Sequence, residues 1–202
     1  WQPQLDFFKN YSTLSYDILG HGKSSLTKQN INFDDFSKQL IELIDELEID
    51  KIHLVGFSIG SLIARNFATK FNDRLQSLIL LGSIYKRSEQ QQKIVNERFN
   101  QAKKELKLSK QALKRWFTDK YLKNNPDTFD KISSILSSNN MEYFLKTYDL
   151  FVNHKNDEDF EKIKVNTLLM TGEYDIGSTI EMSQELNKVI KNSELKIVKD
   201  GK

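Results

Sequence analysis

The chain has 202 residues, which suits one domain or one domain with an inserted subdomain. Its formal net charge of +2 comes from 30 basic and 28 acidic residues, and this near balance gives no electrostatic case for binding nucleic acid. The lack of cysteine excludes disulfides and thiolate metal sites, and no apolar run reaches the ~18 residues that a membrane span needs. No signal peptide is visible, so we expect a cytoplasmic protein.

Strand-like and helix-like segments alternate along the first 85 residues. Residues 12–19 predict a strand that ends in the turn "GHGKSS", and the apolar spacing of residues 33–47 predicts a helix. The nearly continuous apolar run of residues 51–57 predicts a buried strand. A helix at residues 61–71 and another strand at 75–83 follow. This alternation is typical of a parallel sheet with helices on both faces.

The alternation stops between the strand at 75–83 and a later strand at 165–172. Helical patterns follow one another there with no convincing strand, and Asn125-Pro126 breaks one of them. A helix at 180–190 and a strand at 194–199 complete the chain. We therefore predict an α/β fold in three parts: residues 1–85 as the first part of the core, 86–160 as a helical cap insertion, and 161–202 as the second part of the core.

The stretch "VGFSIGS" places Ser58 between Gly56 and Gly60 in the pattern Gly-x-Ser-x-Gly. A strand precedes the pattern and a helix follows it, which is the context of a nucleophile elbow. Such a turn holds the serine oxygen clear of the sheet, and glycines flank it because side chains there would collide with the strand and helix. The alternative is a tight turn with a capping serine. The N–H of Ile59 opens the helix and is a natural donor to an oxyanion.

A serine nucleophile of this kind needs a carboxylate beyond a later strand and then a histidine, in that chain order. The stretch "LLMTGEYD" supplies Asp175 after a strand and a glycine turn, and Glu173 is the rival acid. Asp175 could instead cap the next helix. Of the three histidines, His53 falls inside a strand, and His21 and His154 precede Asp175. None stands where the order requires the base.

Several stretches resemble the α/β-hydrolase superfamily. "YDILGHGKS" resembles its Asp-x-x-Gly-x-Gly-x-Ser turn, "VGFSIGS" its elbow, "TGEYD" its acid loop and "KDGK" the run before its histidine. "WQPQLDFF" and "GEYDIGST" are similar to 3-oxoadipate enol-lactonases and kindred small esterases. The resemblance implies an internal fragment that lacks the N-terminal strands, a second oxyanion donor and the catalytic histidine, which we expect just past Lys202.

The resemblance further implies a serine hydrolase that cleaves a carboxylic ester or lactone through an acyl-enzyme. Ser58 would attack, Asp175 would orient the missing base, and Ile59 N–H would stabilise the oxyanion. We expect a small-molecule substrate and no metal or organic cofactor, and cationic cap residues would favour acidic substrates. Two alternatives stay open: a carbon–carbon bond hydrolase with the same triad, and a non-catalytic receptor or scaffold. The 202 residues alone are expected to be inactive.

Overall fold

The structure is a computed structural model that describes residues 1–26, 28–105 and 115–202. Four strands, eight α-helices and two short 3₁₀ helices organise these residues. In chain order the strands and α-helices are α1 (Gln2–Phe7), α2 (Phe33–Glu46), β1 (Ile52–Phe57), α3 (Ile59–Lys70), β2 (Leu75–Leu81), α4 (Glu89–Glu105), α5 (Asp119–Asn124), α6 (Asp127–Ser137), α7 (Met141–Val152), β3 (Asn166–Gly172), α8 (Ile180–Val189) and β4 (Ser193–Val198).

The four strands form one sheet in the order β1-β2-β3-β4, and every neighbouring pair is parallel. Phe57 is level with Leu81, and Leu81 is level with Met170, so the carboxyl ends of β1, β2 and β3 meet at one edge. The predicted strands at 51–57, 75–83, 165–172 and 194–199 are confirmed. In open α/β sheets ligands bind at this carboxyl edge.

The core forms where helices α3 and α8 pack against the sheet and helix α2 packs against α3. Phe67 of α3, Leu80 of β2 and Leu186 of α8 are each at most 1% exposed and belong to one cluster. Full burial of such a side chain is worth about 1.5–3 kcal/mol. Helix α2 begins with a capping box, in which Asn32 and Asp35 each bind the other's backbone N–H.

The strand β1 is an edge strand, and the prediction that it is buried was wrong. Val55 and Phe57 point from the sheet face opposite the core and are 41% and 60% exposed. Residues 12–19, predicted as a strand, pair with no strand of the described ranges, and Leu14 is 47% exposed. A strand forms only where a neighbour accepts and donates its backbone hydrogen bonds, so the apolar pattern of residues 12–19 was not sufficient.

Between β2 and β3 the described residues form α4, α5, α6 and α7 and no strand, as the sequence predicted. We call these four the inserted helices; residues 106–114 of the same segment lie outside the described ranges. Val95 and Phe99 of α4 pack against Val152 of α7 in a second, smaller cluster. Of the helices in the described ranges, none has the length and apolar character needed to cross a membrane.

Candidate active site

Ser58 occupies the turn between β1 and α3 with φ 54° and ψ −118°. Left-handed backbone at a residue other than glycine costs about 1–3 kcal/mol and persists only where surrounding contacts hold it. Two contacts do so here. The Ser58 N–H donates to Leu81 O at 2.9 Å, and Ser61 Oγ donates to Ser58 O at 2.5 Å. The Ser58 side chain is half-buried, and its hydroxyl has no hydrogen bond within the described ranges, so it is available to a substrate and a base.

The two glycines of the turn differ in their surroundings. A Cβ at Gly56 would lie 2.3 Å from Gly60 O and 2.8 Å from Ser61 Cα, so only glycine lets β1 pass this close to α3. A Cβ at Gly60 would meet nothing within 4 Å. The expectation of a collision therefore holds at Gly56 and is wrong at Gly60, because the backbone of α3 approaches the strand at Gly56 alone.

The N–H of Ile59 is the first of helix α3 and therefore has no acceptor within the helix. This N–H belongs to the residue directly after Ser58 and lies at the positive end of the helix dipole. A tetrahedral oxyanion formed on Ser58 would meet a free donor and a favourable partial charge at this position.

Asp175 lies in the loop after β3 and is half-buried. Its Oδ1 accepts the N–H groups of Gly177 at 2.7 Å and Ser178 at 2.9 Å, and its Oδ2 accepts Ser178 Oγ at 2.6 Å. The alternative role as a helix cap is wrong, since Thr179 caps α8 through Met182 N–H. Because a carboxylate oxygen has two lone pairs, Oδ2 keeps the capacity to accept an imidazole N–H.

Gly82, directly after β2, separates the end of β1 from Asp175. A Cβ built there would lie 3.3 Å from Phe57 Cε2 and 3.7 Å from Asp175 Oδ2. Ser58 N–H donates to O of Leu81, the residue before Gly82, so the serine turn and the Asp175 carboxylate both lie at the carboxyl end of β2. The sequence analysis did not single out Gly82, although its position directly after a strand in "LLGS" was the available signal. Its φ of 54° shows that the turn requires glycine there.

Glu173, the rival acid, is exposed and reaches the chain just after β4. Its Oε2 accepts the N–H of Asp200 at 3.0 Å. The chain beyond β4 crosses the end of β3 here: Gly201 O accepts Tyr174 N–H at 2.7 Å, and a Cβ at Gly172 would lie 2.8 Å from Lys202 N. Lys202 thus lies at the edge that carries Asp175.

The three histidines are all described, and none hydrogen bonds to Ser58 or Asp175. His21 Nδ1 lies 3.2 Å from Leu19 O. His53, an exposed residue of β1, has its Nδ1 2.7 Å from Oγ of Ser77 in β2. His154 is 5% exposed, and its Nε2 lies 3.2 Å from Glu158 Oε1. The structure therefore places Ser58 and Asp175 at the same end of β2, and none of the three histidines is hydrogen-bonded to either of them.

A buried ionic cluster, which the sequence did not reveal, anchors the elbow helix to the chain after α7. Arg65 of α3 has no exposed surface and donates to Glu158 Oε2 at 2.7 Å and to Ile84 O at 2.8 Å. The rings of Tyr85 and Phe160 lie 5.9 and 5.0 Å from its guanidinium. Burial alone would raise the pKa of Glu158, but contact with His154 and the charge of Arg65 lower that pKa below its usual value.

The segment between β2 and β3 contacts the core at several places, among them the turn of residues 20–21 and the last residue. A Cβ at Gly20 would lie 2.9 Å from Tyr143 Cβ, and the rings of His21 and Phe144 are 6.3 Å apart. Lys202 Nζ donates to Phe117 O at 3.2 Å. A cleft of about 730 Å³ lies elsewhere, between α4 and residues 154–156, and neither Ser58 nor Asp175 lines it.

The chain is similar to known proteins in both sequence and fold. The whole chain, residues 1–202, matches the family described as alpha/beta hydrolase fold. The chain is 25% identical to 3-oxoadipate enol-lactonase 2 of Acinetobacter baylyi. The alignment covers 98% of this chain and 74% of that relative. The chain is also 27% identical to an (E)-2-((N-methylformamido)methylene)succinate hydrolase of the same organism. That alignment covers 92% of this chain and 71% of the relative. An alpha/beta hydrolase from a Medee basin deep-sea metagenome library superposes with a TM-score of 0.81 at 20% identity, over 98% of this chain and 77% of that one.

Proposed function

Because the chain belongs to the alpha/beta hydrolase fold family, we propose that it cleaves a carboxylic ester or lactone through an acyl-enzyme formed on Ser58. The observation that carries this proposal is that the left-handed Ser58 turn, bound to Leu81 O, and the Asp175 carboxylate, beside Gly82, both lie at the carboxyl end of β2. A strained serine turn beside an oriented carboxylate is the arrangement that serine acyl transfer uses.

Ser58 Oγ attacks the carbonyl carbon while an imidazole takes its proton, and Ile59 N–H donates to the oxyanion. Collapse of this intermediate breaks the bond to the leaving alcohol, which takes the proton and leaves the acyl group on Ser58. Water then adds to the acyl carbon, gives one proton to the imidazole and releases the acid. The imidazole returns its proton to Ser58. In a lactone the alcohol stays attached to the acyl group, so one product forms.

We assign the base to a histidine that is not among these 202 residues, since the three present have other partners. Asp175 Oδ2 would accept the imidazole Nδ1–H and stabilise the imidazolium, while Ser178 and Gly177 hold the carboxylate in place. Asp175 is favoured over Glu173 because the Glu173 carboxylate is bound to Asp200 N–H at the far side of the loop.

The inserted helices would form a cap that shapes the substrate pocket. Their contact with the turn at Gly20, and the contact of Phe117 just before α5 with Lys202 beside the end of β3, support a position over the carboxyl edge of the sheet. The names of the two curated relatives support a small substrate with a carbonyl to be hydrolysed. One relative is a lactonase, and the other hydrolyses a substituted succinate.

The test is hydrolysis of p-nitrophenyl butyrate by the natural full-length protein. Ser58→Ala should lower kcat by about 10⁴ to 10⁶, since loss of a nucleophile removes the acyl-enzyme route. Ser134→Ala, an exposed serine of α6, is the matched control and should leave the rate unchanged. Turnover that survives Ser58→Ala would remove Ser58 from the reaction, and a full-length protein with no turnover would favour the scaffold alternative.

A further inference from the structure

Ser61, three residues after Ser58, is a fully buried serine in the first turn of α3. Its Oγ donates to Ser58 O at 2.5 Å, and its backbone N–H donates to the same oxygen at 2.9 Å. Within the described ranges, Ser58 O is the sole hydrogen-bond partner of this hydroxyl. Because the residue has no exposed surface, bulk water does not compete for the bond.

Two different elements hold the backbone at Ser58. On the amino side, Ser58 N–H is bound to Leu81 O of β2, which fixes the peptide group before Ser58. On the carboxyl side, the two donors of Ser61 hold Ser58 O, which fixes the peptide group after Ser58. The torsion ψ of −118° relates this second peptide group to the Ser58 side chain. Ser61 therefore holds the torsion that turns one against the other.

The peptide group that Ser61 holds also carries the Ile59 N–H. The Ser58–Ile59 peptide bond is trans, and in a planar trans peptide the C=O and N–H bonds point in opposite directions. Because Ser58 O is directed toward Ser61 inside α3, the Ile59 N–H is directed away from the helix. A carbonyl that accepts hydrogen bonds also polarises its own peptide group, which makes the N–H a stronger donor.

The position of Ser61 is itself fixed by the strand that leads into the turn. A Cβ built at Gly56 would lie 2.8 Å from Ser61 Cα, so the backbones of β1 and α3 are in contact here. The residue that binds Ser58 O is thus packed against the strand that delivers Ser58. Such close packing keeps the hydroxyl and the serine turn in one fixed relation.

We propose that Ser61 is a positioning residue for the acyl transfer: its hydroxyl directs the Ile59 N–H toward the oxyanion that forms when Ser58 attacks a carbonyl. This inference rests on the proposed function. Ser61 acts through the Ser58–Ile59 peptide group and does not touch the substrate. Its contribution is made when the carbonyl oxygen becomes negatively charged, so it should raise kcat and leave KM unchanged.

The kinetic test uses Ser61→Ala and Ser61→Cys in the natural full-length protein. A thiol fills the space of the hydroxyl but is a weak donor, so both variants weaken the hydrogen bond and only alanine leaves a void. Each should lower kcat for p-nitrophenyl butyrate by about 3- to 10-fold, the effect of one neutral hydrogen bond, with KM unchanged. Ser183→Ala, at a buried serine of α8, is the matched control and should leave kcat unchanged.

A mimic of the tetrahedral intermediate separates oxyanion binding from ground-state binding. The Ser58 oxygen adds to the carbonyl carbon of butyl trifluoromethyl ketone, the serine proton passes to the base, and the ketone oxygen becomes an alkoxide. The inhibition constant of this ketone should rise by about 3- to 10-fold in Ser61→Ala. That of butyl methyl ketone, whose carbonyl stays trigonal, should not change.

NMR spectroscopy of the 202-residue chain tests the hydrogen bond without turnover. Carbon-13 at serine carbonyl groups and nitrogen-15 in isoleucine give one signal for each Ser-Ile pair of the sequence, at residues 58–59, 83–84 and 134–135. Ser58→Ala identifies the first signal by removing it. Ser61→Ala should shift that signal, because the Ser58 carbonyl loses a donor, and should leave the other two in place.

Circular dichroism checks that each variant is folded. An unshifted signal of residues 58–59 in Ser61→Ala overturns the inference. So does a normal kcat in folded Ser61→Cys, which would assign the effect of alanine to lost packing, or a change in KM with kcat unchanged. A shifted signal together with turnover that survives Ser58→Ala would instead contradict the proposed function and leave the hydrogen bond of Ser61 standing.

Discussion

Asp175 Oδ2 accepts a hydrogen bond from Ser178 Oγ at 2.6 Å, while Glu173 Oε2 accepts the N–H of Asp200 at 3.0 Å. Two carboxylates separated by one residue therefore serve different neighbours. The Asp175 carboxylate stands beside Gly82 at the end of β2, and the Glu173 carboxylate ties the loop after β3 to the loop after β4. This division predicts different consequences for the two amide substitutions.

Asp175→Asn should reduce kcat in the natural full-length protein on the order of 10⁴, because an amide favours the wrong imidazole tautomer. Glu173→Gln is the matched control, since it makes the same change two residues away and should affect stability more than kcat. Both are measured with p-nitrophenyl butyrate. A large loss in Glu173→Gln with near-normal Asp175→Asn would exchange the two roles.

The turn at Ser58 could be predicted from the sequence because it is local. A strand, three small residues and a helix within ten positions suffice to define it. The fate of residues 12–19 could not be predicted in this way, since their alternating pattern says nothing about whether a neighbouring strand is present. Arg65 was missed for the same reason: its partner Glu158 lies 93 positions away, and a lone arginine in an apolar helix stripe gives no hint of it.

The two elbow glycines should respond differently to alanine. Gly56→Ala places a methyl group 2.3 Å from Gly60 O. The free energy of unfolding should therefore fall by about 3 kcal/mol or more. Gly60→Ala meets open space within helix α3 and should be neutral or stabilise by up to about 1 kcal/mol. Urea unfolding of the 202-residue chain gives both values. Comparable destabilisation by the two substitutions would contradict this account of the turn.

Acid should weaken the link between Arg65 and Glu158. Because the folded-state pKa of Glu158 lies below its ordinary value of 4.5, its charge adds stability above that value, and this stability is lost as pH falls through the folded pKa. The free energy of unfolding should therefore fall as the pH drops below 4.5 and through the lowered folded-state pKa, and Glu158→Gln should remove that part of the fall.

The control for this prediction is Glu161→Gln, an exposed carboxylate that should leave the pH dependence unchanged. Glu158→Gln also leaves Arg65 buried without its partner, which can cost about 3–5 kcal/mol at neutral pH. Arg65→Met/Glu158→Gln removes both charges and should recover part of that loss. A pH dependence of wild type that matches Glu158→Gln throughout would show that Glu158 is not the titrating group.

The 202 residues alone should show no ester hydrolysis that depends on Ser58. A base must come within roughly 2.6–3.2 Å of the serine oxygen, and neither His21 nor His154 hydrogen bonds to Ser58; His21 Nδ1 contacts Leu19 O, and His154 Nε2 contacts Glu158. Ser58 and Asp175 are both only half-buried, so we expect free imidazole to reach them and restore Ser58-dependent turnover of p-nitrophenyl acetate, up to about 10² above the unassisted rate. Ser58→Ala with the same imidazole corrects for direct attack by imidazole on the ester. Asp175→Asn should reduce the rescue because the added ring loses its orienting carboxylate.

Serine-dependent hydrolysis without imidazole, abolished by His21→Ala or His154→Ala, would mean that a histidine of this chain reaches Ser58. The assignment of the base to another residue would then fail.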